Sequence, residues 1–387
     1  MELEAWHLLV IPLFFVLGWL AARVDIRHVM HESRAVPRSY FKGLNYLLSD
    51  QPDKAIEAFL EVAKMDPDTL ELHFALGALF RRRGEVDRAI RIHQNLLDRA
   101  DLNQDARTKA SYELGQDFLK AGLLDRAENV FHRLETGVYA RDVLRHLLDI
   151  QVLTKEWGPA IQTAQRLEKM GCPALSADVA HYYCELALVA QLKGDKAAAF
   201  GHLEAAIAQH PRSARAWILR GDLEAQSGDD EAAIGSWSRI EAVNPAFLPL
   251  VAERLLQAHE RQGKAQEGEA LLQAYLERHP SKDLLHLIFQ NVAAHQGWQA
   301  ARELAARELR RTPSLRALDD YLQAGIALME TDAPERLESQ LAQNLVQQQV
   351  AREASYVCHQ CGFKARQFFW QCPACARWET IAPERGA

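Results

Sequence analysis

The sequence predicts an all-α protein, a solenoid of stacked helix pairs with one membrane-crossing helix ahead of it and a small metal-bound knuckle behind it. Three observations predict this. Prolines recur with a period near 34 residues, at Pro211, Pro245, Pro280 and Pro313. A run without Asp, Glu, Lys or Arg fills Ala5 to Ala22. Four cysteines stand near the C-terminus as two C-x2-C pairs. The 387 residues are 48% hydrophobic, enough for a large core, so disorder is disfavoured. A balance of 45 basic and 52 acidic residues gives a net charge of -7, which provides no global pull toward nucleic acid.

The first element is the run AWHLLVIPLFFVLGWLAA. As a helix it extends roughly 27 Å, close to a hydrocarbon core of ~30 Å. Trp6 and Trp19 sit toward its ends, where amphipathic rings favour the membrane interface, and Pro12 and Gly18 are tolerated in such helices. A cleavable leader wants positive charge before the run, whereas Glu2 and Glu4 stand there, and no small-x-small cleavage site follows. Arg23, Arg27, Arg34 and Arg38 all come after it, so the positive-inside rule puts the rest of the chain in the cytoplasm. The sequence thus predicts an anchor at 1–24 and a basic linker at 25–37.

Repeats follow over 38–348, about eight or nine helix pairs. Pro67 closes the first unit as the later prolines close theirs. A second register agrees: Gly77 with Ala89 and Gly115 with Ala127 share a separation of 12, the glycine at a close helix crossing and the alanine on the facing helix. Leu76, Gly77, Phe80 and Gly84, then Leu114, Gly115, Phe118 and Gly122, then Trp217, Gly221, Gly228, Ala233, Trp237 and Pro245 match tetratricopeptide repeats in type and spacing. Weaker units run through Tyr183, Leu186, Gly194 and Ala199, and through Ala160, Gly263 and Ala301. One helix pair cannot cover its own apolar face, so neighbours stack along a superhelix and bury a continuous core. The groove of such a stack is formed by the first helix of each pair. Projected from the register, it would carry Tyr40, Leu44 and Leu48, then Phe74, Arg81 and Arg82, then Lys109, Tyr112 and Lys120. An aromatic and basic groove suits an extended segment with apolar anchors and acidic flanks. Arg81, Arg82 and Arg83 also read as a solvated helix end.

The tail YVCHQCGFKARQFFWQCPACARWET carries the most specific chemical signal. Cys358, Cys361, Cys372 and Cys375 place two close thiolate pairs ten residues apart, a pattern that wraps one tetrahedral ion, iron or zinc. Gly362 and Pro373 support the turns. In a reducing cytoplasm this spacing favours metal over disulfides. A domain over 354–383 is too short to build its own core, so the ion would hold it folded. His359 between two ligands reads as surface, and Cys172 and Cys184 as core residues of repeat helices. Phe368, Phe369, Trp370 and Trp378 exceed what the knuckle needs and would pack it against the last repeat helices.

No H-E-x-x-H, G-x-S-x-G, G-x-x-x-x-G-K-[ST] or G-x-G-x-x-G is present, so the sequence predicts no enzyme and no catalytic residues. The run RGEVDRAIRIHQ from Arg83 to Gln94, and the ends CHQCGF and WQCPACARW, resemble the lipopolysaccharide assembly protein B family of Gram-negative bacteria over the whole length. That resemblance implies a single-pass inner-membrane protein with a periplasmic N-terminus and a rubredoxin-like metal-binding domain in the cytoplasm, its ligands Cys358, Cys361, Cys372 and Cys375. It also implies an adaptor that delivers the lipid A pathway deacetylase LpxC to the membrane protease FtsH for degradation. Other lipopolysaccharide assembly proteins are further candidate partners, and a homo-oligomer is open. The spacer between the cysteine pairs is much shorter than in true rubredoxins, and Ala376 stands where the second knuckle usually has Gly. Two alternatives compete: an iron redox carrier, and a nucleic-acid-binding ribbon. The second is disfavoured because residues 352–387 hold five Lys or Arg against three acids, a weak excess.

Overall fold

The computed structural model describes residues 15–16, 18–19, 41–43, 45–46, 49, 51–65, 70–330, 334–353 and 355–385. Of the expected anchor at 1–24, Phe15, Val16, Gly18 and Trp19 are described and helical; the rest of it, and the linker at 25–37, lie outside the described residues. Tyr40, Leu44, Leu48 and Pro67 lie outside them too. Among the described residues no helix is long and apolar enough to cross a membrane.

The chain divides into two units, Met1–Ile150 and Gln151–Ala387. The first holds α1 (Pro52–Met65), α2 (Leu70–Arg83), α3 (Val86–Leu97), α4 (Gln104–Lys120) and α5 (Leu124–His132). Helix α6 (Ala140–Leu153) begins in the first unit and ends in the second. The second unit continues with α7 (Trp157–Lys169), α8 (Ser176–Leu192), α9 (Lys196–Gln209), α10 (Ala214–Gln226), α11 (Asp230–Val243) and α12 (Leu248–Arg261). It ends with α13 (Ala265–Arg278), α14 (Lys282–His295), α15 (Trp298–Arg311), α16 (Leu315–Leu328) and α17 (Pro334–Glu353), then the short antiparallel strands β1 (Tyr356–Val357) and β2 (Lys364–Ala365).

Four helix pairs share one kind of crossing. A Cβ added at Gly77 would lie 2.4 Å from the His93 ring, at Gly115 2.5 Å from Phe131, and at Gly221 2.4 Å from Trp237. Gly43 meets Phe59 in the same way at 2.5 Å. In all four the ring belongs to the residue sixteen positions later, so a large side chain on the second helix lies flat on the bare backbone of the first. Ala89, Ala127 and Ala233, the small residues expected on the facing helix, are fully buried one turn before their rings.

The turns within hairpins are closed by left-handed residues. Gly84 and Gly122 have φ +87 and +74, and the next amides reach back to the Phe80 and Phe118 carbonyls at 2.9 Å. Lys155 holds this conformation at φ 61 without being glycine, and the Glu156 amide reaches the Gln151 carbonyl at 2.7 Å. Pro211, Pro245, Pro280 and Pro313 fall between successive hairpins, where the missing amide costs no helical bond. In the second unit a core of buried side chains runs from Ala214 to Ala324 across these hairpins.

Two expectations about the first unit need correction. Phe74 and Tyr112, projected onto an aromatic groove, are buried: Phe74 is in contact with His93, and Tyr112 stacks on Tyr139 at 4.3 Å. Their rings are covered by the neighbouring helices, Phe74 beside Leu96 and Leu102 and Tyr112 beside Phe131 and His146. Arg81 is neither a free groove cation nor a solvated end. Its guanidinium bonds Asp117 and Glu113 at 2.7 Å each, and Asp117 also holds His93 Nδ1 at 2.5 Å. Burial opposes the Arg81 charge, and its bonds to Asp117 and Glu113 outweigh that and raise its pKa. Arg82 and Lys120 are exposed, and Lys109 lies over the Phe74 ring at 4.4 Å.

The crossing gives opposite outcomes for two kinds of glycine. Gly221→Ala should destabilise the protein by about 1–3 kcal/mol through the clash with Trp237. Gly201→Ala and Gly235→Ala, helical positions with nothing within 4 Å, should stabilise it by about 0.5–1 kcal/mol. Urea unfolding of the three variants checks both signs.

Candidate metal centre

The four-cysteine site rests on two matching turns. The Gly362 amide donates to the Cys358 carbonyl at 2.9 Å, and the Ala376 amide donates to the Cys372 carbonyl at 2.9 Å. The Cys358 amide reaches the Phe363 carbonyl and the Cys372 amide reaches the Arg377 carbonyl, again both at 2.9 Å. Gly362 has φ +75 and Ala376 φ 55, so both loops use the left-handed region although only the first has glycine there. Bridges Cys358 to Ile381 and Gln371 to Trp378, with β1 and β2, tie the loops to one small sheet-like base.

These turns bring all four Sγ atoms within 4.8 Å of one another. Cys358 and Cys375 sulfurs are 3.8 Å apart, and those of Cys361 and Cys372 3.7 Å. A tetrahedron with metal–sulfur bonds of ~2.3 Å has edges of about 3.8 Å. A disulfide would need about 2.05 Å. The donor set therefore fits one four-coordinate thiophilic ion, and the same edge length serves iron and zinc.

The electrostatics point the same way. The Thr380 hydroxyl, 3.3 Å from Cys358 Sγ, is the main cause that lowers that thiol to about 6, with help from the Cys361 and Gln360 amides. The Phe363 amide favours the Cys361 thiolate, yet the neighbouring sulfurs of Cys358, Cys372 and Cys375 push it up to about 12. Four charges this close repel, and a cation among them removes the conflict. His359 is exposed, as expected, its amide donating to the Thr380 carbonyl at 2.8 Å. Cys184 is buried in α8, its thiol pushed up to about 12 by burial. Cys172, expected in a helix core, is half-buried in the turn between α7 and α8, because α7 ends at Lys169.

The knuckle is seated on the repeats, but on their middle rather than their last helices. Trp378 stacks on His181 of α8 at 4.6 Å and meets Trp157 edge-on at 6.3 Å. Trp370 stacks on Phe247 at 5.0 Å, and Phe368 meets the same ring edge-on. The Arg215 guanidinium lies 5.1 Å from the Trp378 ring and 5.9 Å from Trp370, while bonding Glu185 at 2.5 Å. Phe369 stays within the knuckle's own core. Sequence reasoning foresaw that the aromatics dock but missed Arg215 and His181, which look like ordinary helix residues until a ring faces them.

The tail beyond the last cysteine is also fastened. Glu384 accepts from the Ser281 hydroxyl at 3.0 Å and from the Lys282 amide at 2.6 Å, at the positive end of α14. The Arg385 amide donates to Asp283 at 3.0 Å, and its Nε donates to the Tyr356 hydroxyl at 3.3 Å.

Comparison with known proteins agrees with this geometry. Residues 356–383 match the model of a rubredoxin metal binding domain, and 42–103 and 184–245 match the tetratricopeptide repeat. The chain is similar to lipopolysaccharide assembly protein B of Escherichia coli strain K12, 36% identical over 384 residues, covering 98% of this chain and 97% of that protein. It is 27% identical over 387 residues to the protein of the same name from Haemophilus influenzae, covering 97% of each.

Two substitutions probe the knuckle. Cys372→Ser should abolish metal content and shift tryptophan emission to the red as Trp370 and Trp378 leave their sites, with the far-UV helical signal retained; unchanged emission would separate docking from the metal. Ala376→Gly should stabilise the knuckle by about 1 kcal/mol, because glycine adopts the left-handed turn without a Cβ clash. Slower loss of metal to a chelator reads this out.

Proposed function

We propose that this chain, which belongs to the lipopolysaccharide assembly protein B family, is a non-enzymatic adaptor that regulates lipopolysaccharide biosynthesis from the inner membrane. In this reading the residues from Ala5 to Ala22 anchor it once, the N-terminus is periplasmic, and the four arginines after the run keep the repeats and knuckle in the cytoplasm. The repeats hold the deacetylase LpxC and present it to the membrane protease FtsH, so that LpxC is degraded and synthesis stays in balance. Holding two proteins near one bilayer raises their effective concentration for each other without any chemistry on the adaptor.

The observation that supports this reading best is the seating of the knuckle. Trp370, Trp378 and Arg215 make the metal domain part of the repeat surface, so the ion stabilises a recognition face. Structural four-thiolate sites contribute folding energy in this way.

The exposure of Cys361 favours a second reading, an iron redox carrier on an interaction scaffold, since an exposed thiolate gives electrons a path to the ion. Metal analysis of protein purified in air separates the two: stoichiometric zinc excludes the carrier, and iron with a reversible potential supports it.

Depleting the chain from a Gram-negative cell that depends on it should slow LpxC turnover several-fold and raise its level, measured by chase and immunoblot. Unchanged turnover rejects the adaptor reading. A reporter fused to the C-terminus should be active in the cytoplasm, and periplasmic activity would reverse the proposed topology.

A further inference from the structure

Thr380 stands where the two cysteine turns meet, although it follows the last cysteine in the sequence. Its carbonyl accepts the His359 amide of the first turn at 2.8 Å, and the next residue, Ile381, bridges to Cys358. Its hydroxyl lies 3.3 Å from Cys358 Sγ and 3.4 Å from the Arg377 carbonyl of the second turn. That carbonyl also accepts the Cys372 amide at 2.9 Å. One side chain therefore touches a sulfur of the first pair and the group that positions a cysteine of the second.

The hydroxyl has a single proton and two neighbours able to take it. A carbonyl only accepts, whereas a cysteine sulfur donates as a thiol and accepts as a thiolate. Beside a thiol the order is fixed: the sulfur's proton points to Thr380 Oγ1, and the hydroxyl proton points on to the Arg377 carbonyl. Beside a thiolate held on a cation the sulfur has no proton to give, so the hydroxyl turns and donates to it. The amides of Gln360 and Cys361 face the same sulfur, which then collects the hydroxyl as well. Four thiolates place more negative charge around a divalent ion than it neutralises, and donors on the sulfurs spread that excess.

We propose that Thr380 is a positioning residue of the metal centre, its hydroxyl donating to Cys358 Sγ while an ion is bound and to the Arg377 carbonyl while it is not. The change needs no movement of the backbone, only rotation about the bond from carbon to the hydroxyl oxygen. Metal affinity and the electronic state of the Cys358 sulfur then both depend on a group that does not touch the ion. The assignment holds for zinc and iron alike and stands independently of the adaptor reading.

Chelator competition on the full chain loaded with zinc, together with the absorption spectrum of the cobalt-substituted chain, tests it. Thr380→Val should hold zinc about tenfold more weakly. It should also move the sulfur-to-cobalt charge-transfer band to longer wavelength, because a sulfur that loses a hydrogen bond gives up its electrons more easily. Thr380→Ser should restore both readings, and Gln367→Ala, at an exposed position of the same domain, should change neither. Should Thr380→Val fail to fold, Thr380→Ala removes the hydroxyl with a smaller side chain and gives the same two readings. Wild-type affinity in Thr380→Val overturns the proposal, and so does weaker binding with an unmoved band, which leaves only a packing role. A wild-type chain that takes up neither zinc nor cobalt overturns the metal centre itself, and this assignment with it, while the adaptor reading is judged separately by LpxC turnover.

Discussion

A ring lying on a bare glycine backbone is the constraint that sets the tightest helix pairs of the repeat array. At Gly77, Gly115 and Gly221 the second helix of a hairpin comes so close that a single methyl group would overlap His93, Phe131 or Trp237. That approach fixes the spacing of the pair, and the turn glycine and fully buried alanine on the same face complete it. Since packed interiors have no slack, each hairpin then presents a defined ridge to the next, and stacking propagates the geometry.

The first unit shows what happens when the ring is a histidine. His93 occupies the place held by Phe59, Phe131 and Trp237 elsewhere, and its Nδ1 brings Asp117 into the core, which in turn draws in Arg81. An apolar crossing has become a polar chain that runs from His93 through Asp117 to Arg81. Taking away one member would strand the others, which makes such networks more demanding than the apolar crossings beside them. His93 Nε2 remains without a hydrogen-bond partner among the described residues.

The metal domain is joined to the repeats by aromatic and cation–π contacts rather than by a large apolar core of its own. Arg215 is shared between two tryptophans and Glu185, and His181 between Trp378 and Glu379, so folding of the knuckle and its docking are parts of one arrangement. An ion held by the four sulfurs would lock two turns together, and those turns aim Trp370, Trp378 and the C-terminal tail. A site that reads as local chemistry in the sequence thereby shapes a surface made largely of helices far away in the chain.

The repeats, their period and the four-cysteine cluster were legible from sequence alone, because each is written in local spacing: prolines near 34 apart, glycine and alanine 12 apart, cysteines in two tight pairs. Helical and turn geometry convert such spacings directly into position. What the spacing could not carry was which surfaces meet. Phe74 and Tyr112, which the repeat register places on an open groove, are buried, because their exposure depends on the neighbouring hairpin and not on their own helix. Arg81 pairs with residues of the next hairpin, and the knuckle chose the middle repeats over the last ones for the same reason. Contacts between residues distant in sequence are decided by shape and charge after the helices have formed, and only the tertiary structure contains them.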